Sequence, residues 1–150
     1  MACIFVKGYI VLVDDDDLEI VSPIRWSVAK IGNGIYFLKS ISGRTQSLHR
    51  LIMRNPSKMS VDHATGNTLD NRKINLRLCT HQQNMMNRTM HSNNTSGYRG
   101  VGFHKRSGKW VARIRYKGRL MWLGTFYTPE EAHFIYQEKA IELFGEFFRS

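Results

Sequence analysis

Residues 58–88, KMSVDHATGNTLDNRKINLRLCTHQQNMMNR, constrain this chain more than any other stretch. A short run ends in Asp62-His63, and a Gly/Asn/Asp-rich region follows from Ala64 to Asn71. Those residue types tolerate left-handed backbone and close side-chain turns, so the region reads as a wide polar loop. Apolar alternation through Ile74, Leu76 and Leu78 predicts a second strand. Thr80 with Gln83 three residues on is a capping-box pattern, which predicts a helix starting there. The order is strand, loop, strand, helix.

The polar residues fall where that order can use them. Asp62 and His63 are neighbours at the end of the first strand, Asn84 lies one turn into the helix, and Asn87 shares its face at i, i+3. A helix folded across the hairpin would bring Asp62, His63 and Asn84 together. An aspartate and an amide oxygen are hard ligands suited to Mg²⁺, or to a related ion such as Mn²⁺, which keeps several waters. A neutral histidine beside such an ion can deprotonate water, because its ordinary pKa is near neutrality. The expected chemistry is one-metal hydrolysis of a phosphodiester, with Asp62 and Asn84 as metal ligands and His63 as base.

The stretch resembles the HNH nuclease family, and in particular the phage- and intron-type homing endonucleases. The match is carried by Leu48-His49-Arg50-Leu51, Val61-Asp62-His63, Gly66-Asn67, Asn71, Asn75-Leu76-Arg77 and Asn84. It implies that His63 is the general base, that Asn75 pins the loop between the strands, and that Asp62 and Asn84 hold the metal. Each residue has a plainer reading by itself. Asp-His dipeptides are common, and Asn84 and Asn87 could be solvated helix residues. The conjunction carries the inference. His49 has two readings, a contact to phosphate or support of the site, and a packed, hydrogen-bonded histidine.

Charge is unevenly placed. Residues 1–48 carry five basic and five acidic side chains, so the net charge of +10 lies in residues 49–150. Between Gly97 and Thr128 there are eight basic residues and no acid, the footprint of a polyanionic partner. These residues interleave with strand signals and not with an amphipathic helix, which favours double-stranded nucleic acid over a membrane surface. Two cysteines, Cys3 and Cys79, make neither a disulfide framework nor a zinc set, so free thiols in a reducing cytoplasm are expected and structural zinc is not. No apolar run is long enough to span a membrane, and no signal-peptide pattern opens the chain.

The first 48 residues read as β-structure. Ile4 to Val13 is one strand region broken at Lys7-Gly8, and Arg25–Ile31 with Ile35–Ile41 makes a pair hinged at Gly32-Asn33-Gly34. The Asp14–Asp17 run lacks the spacing and glycine of a calcium loop and reads as a solvated loop. This region is expected to pack on the nuclease motif, since a strand–strand–helix unit of about 30 residues cannot build its own core. Ser47 to Arg54 predicts a short helix ended by Asn55-Pro56. Residues 89–96 are polar and aperiodic and read as a linker.

From Tyr98 the pattern becomes three short strands, Tyr98–Phe103, Lys109–Tyr116 and Leu120–Phe126, with turns at Ser107-Gly108 and Lys117-Gly118. In the second, Trp110, Ala112, Ile114 and Tyr116 point one way, and Lys109, Val111, Arg113 and Arg115 the other. Thr128-Pro129-Glu130-Glu131 is a helix start, Ala132, Ile135, Tyr136, Ala140, Leu143 and Phe144 recur at helical spacing, and Gly145 is placed to end it. These residues resemble the plant ethylene-response-factor (Apetala-type) DNA-binding domain. Tyr98-Arg99-Gly100-Val101, Gly108-Lys109-Trp110, Ile114-Arg115, Trp122-Leu123-Gly124-Thr125-Phe126 and Glu130-Glu131-Ala132 carry the likeness.

The likeness implies that the sheet enters the major groove, with Arg99, Arg113, Arg115 and Trp122 facing DNA and the Lys105-Arg106 turn adding charge. Gly102 and Leu120 stand where the plant domains carry arginines, so the docking mode transfers and the plant base preference does not.

The expectation is an α+β protein. Residues 1–88 form an N-terminal β region packed on a ββα-metal (HNH) motif at about 48–88, residues 89–96 link, and residues 97–150 form a three-stranded antiparallel sheet with one helix. The resemblances imply a homing-type, Mg²⁺-dependent nicking endonuclease of duplex DNA, monomeric or weakly dimeric, in the cytoplasm of a bacterial or phage-infected cell. The rival is a DNA-binding regulator whose HNH unit is structural or inactive.

Overall fold

The computed structural model describes residues 2–54, 59–87, 90 and 93–148, and the chain forms two compact units, Met1–Asn84 and Met85–Ser150. In the first unit β1 (Ala2–Val6) and β2 (Tyr9–Val13) pair antiparallel, with Val6 opposite Tyr9. Lys7 and Gly8 both take positive φ, 46° and 88°, which a two-residue hairpin turn with the right twist requires. Ile4, Val6, Val11 and Val13 fill the core from one face of this hairpin, while Phe5 and Ile10 stay exposed on the other.

The acidic run is not a loop. Asp14 is the N-cap of α1 (Asp15–Val21), and Asp15, Asp16 and Asp17 occupy its first turn. Consecutive carboxylates are favoured there by the partial positive charge of the unpaired N–H groups. Composition alone hid this, because the same four residues would also suit a solvated turn. After α1 comes a three-stranded meander, β3 (Ser27–Ile31), β4 (Gly34–Ile41) and β5 (Arg44–Ser47). The strand expected from Arg25 begins at Ser27, and β5, not expected, follows a tight turn at Ser42-Gly43, both at positive φ. Then α2 covers Leu48–Ile52; the Asn55-Pro56 stop lies outside the described residues.

β6 (Ser60–His63) and β7 (Leu76–Cys79) pair antiparallel, and α3 (His81–Asn87) follows. Thr80 and Gln83 close the capping box, with Gln83 N donating to Thr80 Oγ1 at 3.2 Å and Thr80 N to Gln83 Oε1 at 2.8 Å. Ile74, read as a strand residue, is 86% exposed before β7 begins. Val61 and Leu76 of this hairpin join the main core cluster, whose other buried members come from β1, β2, α1, β4, α2 and Trp26. The loop between β6 and β7 is tied to the N-terminal elements by backbone. Leu12 N donates to Leu69 O at 2.9 Å and Asn71 N to Leu12 O at 2.8 Å. Asp14 accepts from Lys73 N at 2.8 Å, and Asp17 pairs with the Lys73 ammonium at 2.8 Å.

In the second unit β8 (Val101–His104), β9 (Lys109–Tyr116) and β10 (Arg119–Phe126) form an antiparallel sheet of order β10-β9-β8. Helix α4 (Pro129–Phe144) starts with a full Thr128–Glu131 capping box and Pro129 in its first turn. Ala112 and Ile114 of the sheet pack on Ala132, Tyr136, Ala140 and Phe144 of the helix. Gly100 is required by this packing. At φ +70°, a Cβ there would lie 2.1 Å from the Tyr136 ring and 2.7 Å from Arg113 O.

A bulge at Leu123, between the Trp122↔Arg113 and Gly124↔Ala112 pairs, lets Met121 and Leu123 reach the core while Trp122 points out. Val111, expected on the basic face, is buried between Gly102 and Thr125 as cross-strand neighbours. Of the segment read as a linker, Thr89, His91 and Ser92 lie outside the described residues. Asn94 to Ser96 is folded: Asn94 Oδ1 accepts from Ser96 N and Gly97 N, and Ser96 Oγ, with one hydrogen to give, lies 3.0 Å from Tyr98 O and 2.9 Å from Val101 O. Asn and Ser gave that stretch its linker composition, yet here their side chains replace the missing backbone bonds.

Candidate active site

The register of β6 and β7 decides what surrounds the Asp-His pair. Asp62 stands opposite Arg77 and His63 opposite Leu76, so the two side chains leave opposite faces of the ladder. Asp62 is buried, and its Oδ2 accepts from Arg77 Nε at 3.0 Å and Nη2 at 2.9 Å. The pair is well shielded, with 8% of the aspartate side chain and 15% of the arginine side chain exposed.

His63 is also buried, and its Nε2 lies 3.2 Å from Asn71 Oδ1. Its ring sits edge-on to His49 at 5.2 Å and to Tyr36 at 6.3 Å, and Tyr36 and His49 meet at 5.8 Å. Burial holds the His63 imidazole below its ordinary pKa; the Asn71 hydrogen bond and the Asp62 charge pull the other way. His49 is pushed further, down to about 3, by burial first and then by His63 and Arg50. Its Nε2 is 3.2 Å from Ser47 Oγ. His49 is thus a packed, hydrogen-bonded histidine whose neighbour is His63.

The loop that delivers these residues hangs on Asn75, which is buried. Its Oδ1 accepts from Thr65 N and Thr65 Oγ1 at 3.0 and 2.9 Å, and its Nδ2 donates to Asn67 O and Asp70 O at 3.2 and 2.7 Å. One side chain satisfies both strands of the loop's neck. Asp70 is gripped by Arg72, whose guanidinium holds its carboxyl below the usual carboxylate range.

Asn84 is half-buried on the first turn of α3, which leaves β7 one residue after the Ser60↔Cys79 pair; Asn87 is buried at the last residue of that helix. Among the described residues no group of three or more His, Cys, Asp or Glu side chains stands close enough to hold a metal ion.

Sequence reasoning did not assign roles to Asn71, Arg77 or Tyr36. Asn71 and Arg77 were within the matched stretch, but their partners follow only from strand register and the loop's tertiary ties. Tyr36 arrives from another hairpin, and no local signal marks it.

The second unit exposes Arg113 and Arg115 on the face of β9 away from α4, with Trp122 opposite Arg113 and Leu120 opposite Arg115. Trp122 is 58% exposed. Lys105 and Arg106 are exposed in the β8–β9 turn. Arg99 is placed differently. Its half-buried guanidinium donates to Met85 O and Met86 O at 3.2 and 2.8 Å, carbonyls in the last turn of α3. A cation at a helix C-terminus is favoured by the carbonyl dipoles.

Asp62 and His63 are thus sequence neighbours at the end of β6 whose side chains leave opposite faces, and the loop that follows them is pinned by Asn75. Residues 48–86 match the family of HNH endonucleases. An uncharacterized HNH endonuclease of Acanthamoeba polyphaga mimivirus is 35% identical over 147 residues, spanning 94% of this chain and 74% of that protein. The chain belongs to the HNH endonuclease family, and membership implies a nuclease acting on DNA.

Shorter similarities reach plant proteins. An ethylene-responsive transcription factor of Arabidopsis thaliana is 50% identical over 50 residues, 32% of this chain and 27% of that protein. Dehydration-responsive element-binding protein 2A of Oryza sativa subsp. japonica is 46% identical over 55 residues, 35% of this chain and 20% of that protein. No solved structure matches the chain. Among the described residues, no helix is long and apolar enough to cross a membrane.

Proposed function

We propose that this protein nicks duplex DNA by a one-metal mechanism, with the second unit supplying groove binding of the ethylene-response-factor type, as in a homing-type endonuclease. The observation that carries the reading is the adjacency of two buried groups with separate anchors, His63 on Asn71 and Asp62 on Arg77. Hydrolysis of a phosphodiester needs a base for the attacking water and an electrophile for the developing charge on phosphate. His63, kept neutral by burial, is suited to the first role.

The donors present suit a hard divalent ion such as Mg²⁺ or Mn²⁺. Asp62 offers a carboxylate and Asn84 an amide oxygen, few enough protein groups for an ion that retains its waters. When bound, the ion would neutralise charge on the phosphoryl and leaving oxygens. Arg77 orients the Asp62 carboxylate and balances its buried charge. Arg113, Arg115, Lys105, Arg106 and Trp122 are exposed where a duplex could reach them, which supports DNA binding through the sheet. Arg99, held by helix carbonyls, supports the unit's own fold instead.

The test is duplex binding and strand scission measured on one preparation. Scission that needs a divalent ion and is lost in Asp62→Asn, with binding kept, is expected. Binding without scission in Mg²⁺ and Mn²⁺ would favour a regulator with an inactive HNH unit.

A further inference from the structure

We infer that Leu120 is a specificity residue that reads thymine: its isopropyl group packs on the C5-methyl group in the major groove and sets a T·A preference at one position of the bound site. The inference rests on the reading of the β8–β10 sheet as a duplex-binding surface. Helix α4 covers one face of that sheet, packed on Ala112 and Ile114, so a duplex can meet only the other face. Register places Leu120 opposite Arg115 and Trp122 opposite Arg113, and these four side chains share the open face. Met121, between the two apolar residues, turns into the core. Leu120 is 56% exposed and Trp122 58%.

The cations on this face lie to the sides of that apolar pair. Arg113 leans over β8, where Gly102 leaves room for it: a Cβ at Gly102 would lie 3.6 Å from Arg113 Nη2. Arg115 Nη1 donates to Gly118 O at 3.2 Å, in the turn before β10. A single exposed leucine is ordinary on a protein surface. This one stands two residues from an exposed tryptophan, in a stretch, 97–128, with eight basic residues and no acid. Charge complementarity therefore selects a polyanion over an apolar protein partner as the occupant.

Arginines that grip phosphate hold a protein on a duplex without reading its sequence. Leucine has neither donor nor acceptor, so its contribution to a groove is of another kind. Against the acceptors of guanine, or the amino groups of adenine and cytosine, it would exclude water and return no hydrogen bond, which is unfavourable. Thymine is the base that offers an apolar group in the major groove. Leu120 thus discriminates twice, by attraction to the methyl group and by the cost of facing the other bases.

The experiment is selection of bound sequences from randomised duplexes by the full-length protein at low salt, with a chelator present so that no strand is cut. A fixed T·A pair is expected at one position at least. The selected duplex is then remade with deoxyuridine for thymidine at that position, which removes the methyl group and nothing else. Burial of one such group is worth about fourfold in affinity, so Kd for wild type is expected to rise about fourfold. Leu120→Ala is expected to bind both duplexes equally. Ile141→Ala, which truncates a side chain 59% exposed on α4, is expected to keep the fourfold difference.

Equal Kd values of wild type for the two duplexes overturn the inference, as does a methyl effect that persists in Leu120→Ala. If Leu120→Ala instead converts a dimer to a monomer in sedimentation and keeps the thymine preference, the strip joins copies of this chain and the inference falls. Duplex binding without a thymine preference sinks the inference alone. Absence of any duplex binding sinks the DNA-binding reading together with it. A protein that reads thymine through Leu120 yet cuts no DNA would sink the nuclease reading and leave the inference standing.

Discussion

Arg77 holds Asp62 through two nitrogens on one carboxylate oxygen, at 3.0 and 2.9 Å, across the β6–β7 ladder. Both side chains are largely shielded from water, so the pair belongs to the class where losing one partner costs more than the pair contributes. Arg77→Leu takes the guanidinium away from a buried carboxylate and is expected to destabilise the protein by about 3–5 kcal/mol. Adding Asp62→Asn to it should restore much of that loss while activity stays absent. Urea unfolding of the two single variants and the double variant measures the coupling, and a coupling near zero would refute the pairing.

Asn75 makes four hydrogen bonds, two as acceptor and two as donor. Asn75→Ala should cost about 3 kcal/mol, since buried backbone groups would lose their partners. Asn75→Asp should do no better, because a carboxylate would then face the carbonyls of Asn67 and Asp70. Retention of wild-type stability by the aspartate variant would show that the donations are dispensable.

His49 makes stability depend on pH. Its folded pKa, about 3, lies below the ordinary 6.5, chiefly because of burial beside His63 and Arg50. Between those values the unfolded chain binds the proton and the folded chain does not. The contribution is therefore complete above about 6.5 and is lost as pH falls, by about 1.4 kcal/mol per pH unit. Denaturation midpoints between pH 7.5 and 4.5 check the slope. His49→Phe should flatten it if the histidine is its source.

The exposed arginines of β9 predict the salt response of DNA binding. Each phosphate contact contributes about 0.9 to the slope of log affinity against log salt. Arg113→Ala and Arg115→Ala should each reduce that slope by about 1, whereas Arg99→Ala should act mainly through folding. Salt titrations of duplex binding by folded variants separate the two, and an unchanged slope in Arg113→Ala and Arg115→Ala would remove the sheet from the interface.

Much of this was legible in the sequence where the signal was local. The capping boxes at Thr80 and Thr128 mark where α3 and α4 begin, and the alternation in Lys109–Tyr116 delimits β9 to the residue. The site's residue types were legible for the same reason, since Asp62, His63 and Asn75 stand at fixed spacing. What surrounds them was not. Arg77 reaches Asp62 by strand register, Asn71 reaches His63 through a loop tied to Leu12, and Tyr36 comes from a separate sheet. The Asp14–Asp17 run was misread because the favourable field of a helix N-terminus becomes visible only once the helix is known.

The most direct measurement is conversion of supercoiled plasmid at low salt, using DNA from the gene's own locus, by wild type and His63→Ala, each with Mg²⁺ and with a chelator. The account predicts open-circular product from wild type in Mg²⁺ alone, and at least about a hundredfold slower nicking by His63→Ala with duplex binding intact. Equal nicking by the two proteins, or nicking that survives the chelator, would contradict it.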